Sequence, residues 1–307
     1  MDKNVLFTEY FADWIKTYKH GAVRQVTYRK YVTTLKRLTQ IVPTLTVKAM
    51  DRRAYQSILN TYAETHERLT TMDFHHHLRA AVLDAVDDGL LKHDPTRRAV
   101  VKGISRERET VKYLSLKQLT DLLNTLNLDG EVSWDHFVYL LAKTGLRFAE
   151  ALGLTPTDIN PDKCTLTVSK TWDYKSPIPK FGLTKNESSK RTISLDKQTF
   201  SVIWRDAQAT SDGQPIFVQP GCRVFNDTVN HYLRRLCTAA GVPMIAIHGL
   251  RHTHASILLY SGVSVASVAR RLGHANMITT QKTYLHIIKE LEAQDNEKIM
   301  HCLEHLT

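Results

Sequence analysis

Five short segments between residues 144 and 284 of this 307-residue chain hold side chains that a metal-free attack on a phosphodiester would require. Thr144-Gly145-Leu146-Arg147 reads as a helix end, a turn and a new helix start. Lys185 falls in a polar segment between β-like stretches. His248-Gly249-Leu250-Arg251-His252 opens a helix, Leu272-Gly273-His274 closes one, and Tyr284 follows ten residues later. Phosphodiester cleavage gathers negative charge on the non-bridging oxygens, and paired guanidinium N–H donors match that geometry. A tyrosine hydroxyl, with an ordinary pKa near 10, is a weak nucleophile unless a base or a cationic site assists it. The departing deoxyribose oxygen needs an acid, and a histidine and a lysine can divide the two proton transfers.

Each piece alone has a plainer explanation. An arginine after a turn is commonly a helix-end charge, a lysine in a polar hairpin a solvated one, and Tyr284 a packed aromatic with a wet hydroxyl. His248 and Arg251 are three apart and so share a helical face, as many chance pairs do. The ordered set is far more specific.

In that order the segments resemble the tyrosine recombinase (phage integrase) family. Its first box is matched by Thr144-Gly145-Leu146-Arg147-Phe148-Ala149-Glu150. Its hairpin motif, from the lysine through S-x-R-T-I-x-L, is matched by Lys185 through Leu195. The box H-x-L-R-H-T is matched by His248 through Thr253, L-G-H by Leu272-Gly273-His274, and the nucleophile motif by Thr283-Tyr284-Leu285-His286. The likeness spans about residues 110–290 and fills all six positions of the family's active set.

The resemblance implies roles. Tyr284 would attack the scissile phosphate, forming a 3′-phosphotyrosyl link and freeing a 5′-hydroxyl. Arg147 and Arg251 would hold the phosphate oxygens, Lys185 would protonate the leaving oxygen, His248 would act as base toward Tyr284, and His274 would donate a hydrogen bond to the phosphate. Glu150, one turn past Arg147, would buttress the site. The covalent link conserves the energy of the broken backbone, so neither a metal ion nor ATP nor another cofactor is expected. Two positions depart from the pattern: Asn186 replaces a frequent threonine, and Phe148 a small residue. They bear on hairpin alignment, where Lys180 and Lys190 compete for the acid role; Lys185 keeps the six-residue spacing to Arg191.

Something must position these residues. The length, at roughly 150 residues per domain, predicts two domains. Apolar residues are 42% of the chain, enough for real cores, and the net charge of +10 most simply means a polyanionic partner, although a merely solvated surface has the same composition. No apolar run reaches the length of a membrane span, no leader opens the chain, and Cys164, Cys222, Cys237 and Cys302 form no CxxC pair. A cytoplasmic protein in a reducing compartment is expected. Residues 1–109 carry 19 Lys and Arg against 13 Asp and Glu, and are the more basic part per residue.

The apolar spacing predicts a mainly α protein with a small β-sheet or hairpin. Residues 1–105 read as a helical DNA-binding domain of four amphipathic helices: one through Phe7, Phe11, Trp14 and Tyr18, one through Tyr28, Tyr31 and Leu35, one capped by Asp51, and one through Leu78 and Ala85 that stops at Gly89. Residues 106–112 read as a linker, although a plain surface loop has the same composition. Residues 113–307 form the expected catalytic domain, ending in a tail helix with Ile287, Ile288, Leu291, Ile299 and Leu303 apolar. There, Ser115 should cap a helix with Leu116, Leu119, Leu122 and Leu123 inside. Thr165–Trp172 and Arg191–Leu195 should pair as a hairpin whose connection is the Pro/Gly/Lys-rich segment.

Lys19, Arg24, Tyr28, Arg29 and Lys30 mix cations with aromatics as a DNA-facing surface does, and Arg191 is a further DNA-binding candidate. His75-His76-His77 cannot converge on one ion from consecutive helical positions, so a polar helix face near DNA is expected instead. Arg270-Arg271 reads equally as a phosphate contact or a solvated face.

The resemblance implies duplex DNA attachment sites as partners, four protomers on two sites, and a place for accessory DNA-bending or directionality proteins. It implies integration or excision of a phage or mobile element. Many members carry an N-terminal domain for arm sites; none is legible here, so the chain is expected to be a short member or a fragment starting at the core. A type IB topoisomerase and a chromosome-dimer resolving recombinase share the chemistry. A helix-turn-helix over Val263–Tyr284 in a non-enzymatic DNA binder would leave Arg147, Lys185 and His248 without a purpose.

Overall fold

The computed structural model describes residues 4–105 and 111–284, with Met300 and Leu303. The expected tail helix lies almost wholly outside the described residues, as does most of the 106–112 linker. The chain divides into two compact units, Met1–Arg108 and Glu109–Thr307.

The first unit is a four-helix cluster: α1 (Phe7–Tyr18), α2 (Gln25–Ile41), α3 (Arg52–Ala63) and α4 (Arg68–Asp87). The spacing of three and four along α1 buries Phe7, Phe11, Trp14 and Ile15, and Phe11 and Trp14 stack with centroids 5.9 Å apart. Asp51 caps α3 by accepting from the Ala54 N–H at 2.7 Å, as its sequence position predicts. Past α4, Gly89 adopts φ +70°, and the Leu90 N–H turns back to the Ala85 carbonyl. The three histidines do not form a polar outer face. His75 is buried, with its Nδ1 2.8 Å from the Tyr55 hydroxyl, and His77 Nδ1 lies 2.8 Å from Thr34 Oγ1. Only His76 is exposed, because successive helical side chains diverge by about 100°.

The second unit begins with α5 (Leu116–Leu123), closed by a capping box between Ser115 and Gln118. Leu119 and Leu122 enter the core, but Leu116 is 63% exposed, since it sits at the first helical position on the opposite side. Helix α6 (Trp134–Thr144) is buried nearly all round and is followed by α7 (Phe148–Leu152). Five strands come next: β1 (Ile159–Asn160), β2 (Thr165–Val168), β3 (Lys170–Trp172), β4 (Phe181–Leu183) and β5 (Arg191–Ser194). They are followed by α8 (Lys197–Gln208), α9 (Asn226–Ala239), α10 (Ile247–Tyr260), α11 (Val265–Leu272) and α12 (Met277–Thr283).

The expected single hairpin is two antiparallel sheets. One has the order β1-β2-β5, with Leu166 opposite Ile193, and the other pairs β3 with β4, with Thr171 opposite Gly182. The break falls at Ser169. Both the Ser169 hydroxyl and the Lys170 ammonium bond the buried Asp158 carboxylate, and a regular strand would point adjacent side chains to opposite faces. Residues of α5 to α10 and of the larger sheet enclose one core, and a smaller apolar cluster of α10 and α11 surrounds Tyr284.

Candidate active site

Two left-handed glycine turns organise the site. Gly145 ends α6 at φ +66°, and a Cβ there would stand 2.8 Å from the His254 ring. Gly273 ends α11 at φ +66°, and a Cβ would meet Arg191 Nη1 at 2.8 Å. Both turns leave carbonyls that need donors, and arginines supply them. Arg251, on α10 and 4% exposed, donates from Nη1 to the Gly145 carbonyl and from Nη2 to the Leu272 carbonyl, each at 2.7 Å. Arg147, at the N-cap of α7, donates from Nη2 to the Gly273 carbonyl at 2.9 Å and from Nη1 to Glu150 Oε1 at 2.6 Å.

Glu150 is 2% exposed and is shared between two guanidiniums, with Arg191 Nη2 reaching its Oε2 at 2.9 Å. Burial alone would raise its carboxyl, but Arg191 and Arg147 outweigh it and hold the group below the usual carboxylate range. The buttress expected at Glu150 is therefore in contact with Arg147. Arg191 is corrected as a DNA-facing residue. Its side chain is 5% exposed, and it donates to the Arg271 carbonyl, the Ser189 carbonyl and Glu150. Of the pair Arg270-Arg271, Arg270 is exposed on α11 and Arg271 is half-buried. It donates to His254 Nε2 at 2.9 Å and to the carbonyls of Ser194 and Lys143. Because His254 Nε2 accepts, its Nδ1–H donates to the Ala142 carbonyl at 3.0 Å, and burial pushes this histidine down to about 3.

His274 follows the second turn and lies 2.7 Å from Thr280 Oγ1 through its Nδ1. Burial first, then Arg251 and Arg147, push it down to about 4. His248 sits in the first turn of α10 with its outer edge in solvent. Lost hydration, His252, Arg251 and Arg147 lower its pKa. Tyr284 directly follows α12 and is 2% exposed. Burial pushes its hydroxyl up to about 12, although Arg251 pulls the other way. Its hydrogen-bond partner is His252 Nδ1 at 3.0 Å. His248 instead packs edge-on against His252, at 4.9 Å between centroids, so the residue expected as base touches the partner of the hydroxyl.

Lys185 stands exposed in the turn after β4, outside either strand. The neighbouring departure from the pattern, Asn186, supports that turn: its Oδ1 accepts from Ser188 at 3.0 Å and from Ser189 at 2.5 Å, and Ser189 Oγ accepts from Arg147. Phe148 packs edge-on against Phe137 and Tyr174 in the core. Lys190, one competitor for the acid role, is paired with Glu187 at 2.9 Å. Sequence reasoning gave no role to His252 or Ser189, although both fall inside the matched motifs, and it did not single out His254, which lies just past one of them.

In the first unit, Lys19 lies 4.3 Å above the Trp14 ring, Tyr28 packs edge-on against His20, and Lys30 approaches Asp73 at 3.7 Å. Arg24 and Arg29 are exposed on or just before α2. A separate cavity of about 650 Å³, lined by Arg52, Arg53, Arg97, Arg98 and Lys102 and, among the described residues, by no acidic one, had no signal in the helical spacing.

The chain is 26% identical to a tyrosine recombinase XerC-like protein of Caldanaerobacter subterraneus subsp. tengcongensis, over 66% of this chain and 59% of that protein. It is 23% identical to the integrase of Staphylococcus phage L54a, over 67% of this chain and 64% of that protein. The chain thus spans about three fifths of the length of these curated relatives. In fold it resembles the Tn1549 transposon integrase solved with a circular intermediate DNA, with a TM-score of 0.76 at 16% identity, covering 90% of this chain and 94% of that one. Residues 112–290, more than half of the chain, match the phage integrase family, and the protein belongs to that family.

Proposed function

We propose that the chain is a site-specific DNA recombinase that cuts and rejoins duplex DNA through a 3′-phosphotyrosyl intermediate, for integration or excision of a phage or mobile element. The observation that carries this reading is the convergence of Arg147, Arg251, His274 and Tyr284 around the two glycine turns. Arg251 and Arg147 donate to the successive carbonyls of Leu272 and Gly273 that lead into His274, and Tyr284 shares an apolar cluster with Leu272.

Each arginine keeps N–H donors beyond those given to the turn carbonyls, and these would hold the non-bridging oxygens as charge develops. His274 stays neutral at pH 7, which suits a hydrogen bond to the phosphate, and His248 would line the same cationic pocket. Lys185 would protonate the leaving 5′ oxygen. Tyr284, buried and protonated at rest, attacks only when the bound phosphate and a proton acceptor act together. The covalent bond stores the energy for rejoining, so this chemistry draws on neither ATP nor a metal.

Residues 1–105 would supply DNA contact as a separate helical domain, through Lys19, Arg24, Tyr28, Arg29 and Lys30 and through the basic cavity at Arg52 and Arg97. Four protomers on two attachment sites, with accessory DNA-bending or directionality proteins, complete the proposal, and the reaction belongs in the cytoplasm. Relatives named integrase, and a structural neighbour bound to circular intermediate DNA, support the mobile-element task.

The test is a nicked suicide duplex carrying the junction sequences that flank the gene, followed by denaturing electrophoresis. A covalent adduct should form with a chelator present and vanish in Tyr284→Phe. An adduct that persists in that variant sinks the reading. A duplex with a 5′-bridging phosphorothiolate should rescue Lys185→Ala, because a thiolate leaves without an acid; no rescue would move the acid role to Lys180 or Lys190.

A further inference from the structure

Tyr284 is enclosed by Ala255 and Leu259 of α10 and by Val268 and Leu272 of α11. A hydroxyl in such surroundings needs a hydrogen-bond partner, and His252 Nδ1 provides it at 3.0 Å. His252 lies one residue past Arg251 and one turn past His248, whose ring stands at 89° to it. Burial, with Arg251 and Lys112, keeps His252 below the ordinary histidine range, so the imidazole is neutral near pH 7. In the tautomer protonated at Nε2, the Nδ1 lone pair faces the phenolic hydrogen.

We infer that His252 is the base that receives the Tyr284 proton during strand cleavage. The inference rests on the reading of Tyr284 as nucleophile. In the step, the phenolic proton passes to His252 Nδ1 while the phenolic oxygen forms a bond to phosphorus. The bond from phosphorus to the 5′ oxygen breaks, its electron pair leaves with that oxygen, and Lys185 supplies the proton that neutralises it. His252 ends as imidazolium and Lys185 as neutral amine, and rejoining runs the same transfers backward. The imidazolium forms beside Arg251, which disfavours it in the free protein. A phosphodiester held by Arg147 and Arg251 adds negative charge where that repulsion acts, so the base gains strength only when DNA is bound.

His252→Ala and His252→Asn separate the possible roles. Asparagine keeps an amide near the Nδ1 position, able to hold the hydroxyl but not to take its proton. With the nicked flanking-junction duplex, both variants should form the adduct about 10²-fold more slowly than the parent, with DNA affinity unchanged. Added imidazole should recover part of the rate in His252→Ala. Adduct formation at the parental rate in His252→Asn overturns the inference, as does a folded His252→Ala that imidazole does not accelerate. Should the alanine variant not fold, the asparagine variant decides alone. Tyr284→Phe, run in parallel, keeps the failures apart: an adduct there defeats the nucleophile reading itself, whereas an adduct lost there but undiminished in His252→Asn defeats only the base assignment.

Discussion

Among the described residues of the first unit, the buried polar side chains are threonines, His75 and the tips of aromatic residues, and none is an Asp, Glu, Lys or Arg. Tyr10 reaches the Ala81 carbonyl, Trp14 the Asp84 carboxylate and Tyr55 the His75 ring, while the bodies of these residues fill the core. In the second unit whole charges are sunk. Glu150, Arg191 and Arg251 are each at least 95% buried, and they hold turn carbonyls or one another. Aromatic packing stabilises without demanding one geometry, since area removed from water is non-directional. A buried guanidinium is tolerated only where several acceptors stand at fixed places. The first arrangement makes a scaffold; the second fixes positions to fractions of an ångström, which phosphate chemistry requires.

The widest separation between the units is expected in catalysis. Arg251→Ala should lower adduct formation about 10³-fold, because it removes donors aimed at developing charge, while DNA binding persists. Weak binding as the main defect would contradict a transition-state role. Next comes stability. Glu150→Ala leaves Arg191 buried without its carboxylate and should destabilise the second unit by about 3–5 kcal/mol, read by denaturant unfolding. In the first unit, Tyr55→Phe should cost only about 1–3 kcal/mol, the loss of one hydrogen bond that leaves His75 without its partner. Equal costs would erase the distinction drawn between the two interiors.

Acidity sharpens the comparison further. An unfolded histidine binds its proton near pH 6.5, whereas folded His254 does so only near 3 and His274 near 4. Their contribution is therefore fully present above pH 6.5 and is lost as pH falls toward those values. For His254 the loss is about 1.4 kcal/mol per pH unit. His254→Gln should flatten the acid limb of the second unit's unfolding curve, and an unchanged slope would show that the Arg271 contact does not govern it. The smallest effect belongs to the surface of α2. Lys30→Ala breaks an ion pair 62% and 64% exposed, so stability should hardly change. If Lys30 contacts a phosphate, the salt dependence of DNA binding should fall by about one unit of slope.

Much of the molecule was legible in the chain. Helix α1 was readable because its apolar residues recur with the helical period, and α3 and α5 because Asp51 and Ser115 are capping types at the right offset. The six motif residues were readable through their order and spacing. The sheet was not, because the split at Ser169 depends on Asp158, eleven residues earlier, accepting bonds from two adjacent side chains. Leu116 was misplaced because spacing identifies an apolar residue but not whether the first turn of a short helix is covered. His75 was misread as surface because its partner, Tyr55, comes from another helix.

The active-site roles show the same boundary. Residue types alone determined that this chain holds two guanidiniums, a lysine, histidines and a phenol in an order suited to phosphoryl transfer, because chemistry is a property of the side chain itself. Which arginine faces inward, and which imidazole meets the phenol, was decided by the fold. Arg191 and Arg251 look alike in one dimension, yet one is consumed by Glu150 and three-dimensional neighbours, and the other stands between two turns. His248 and His252 sit one helical turn apart, and only the docking of α12 on α11, which packs against α10, brings one of them to the Tyr284 hydroxyl. Hydrogen bonds are decided over tenths of an ångström, a scale at which linear spacing carries no information.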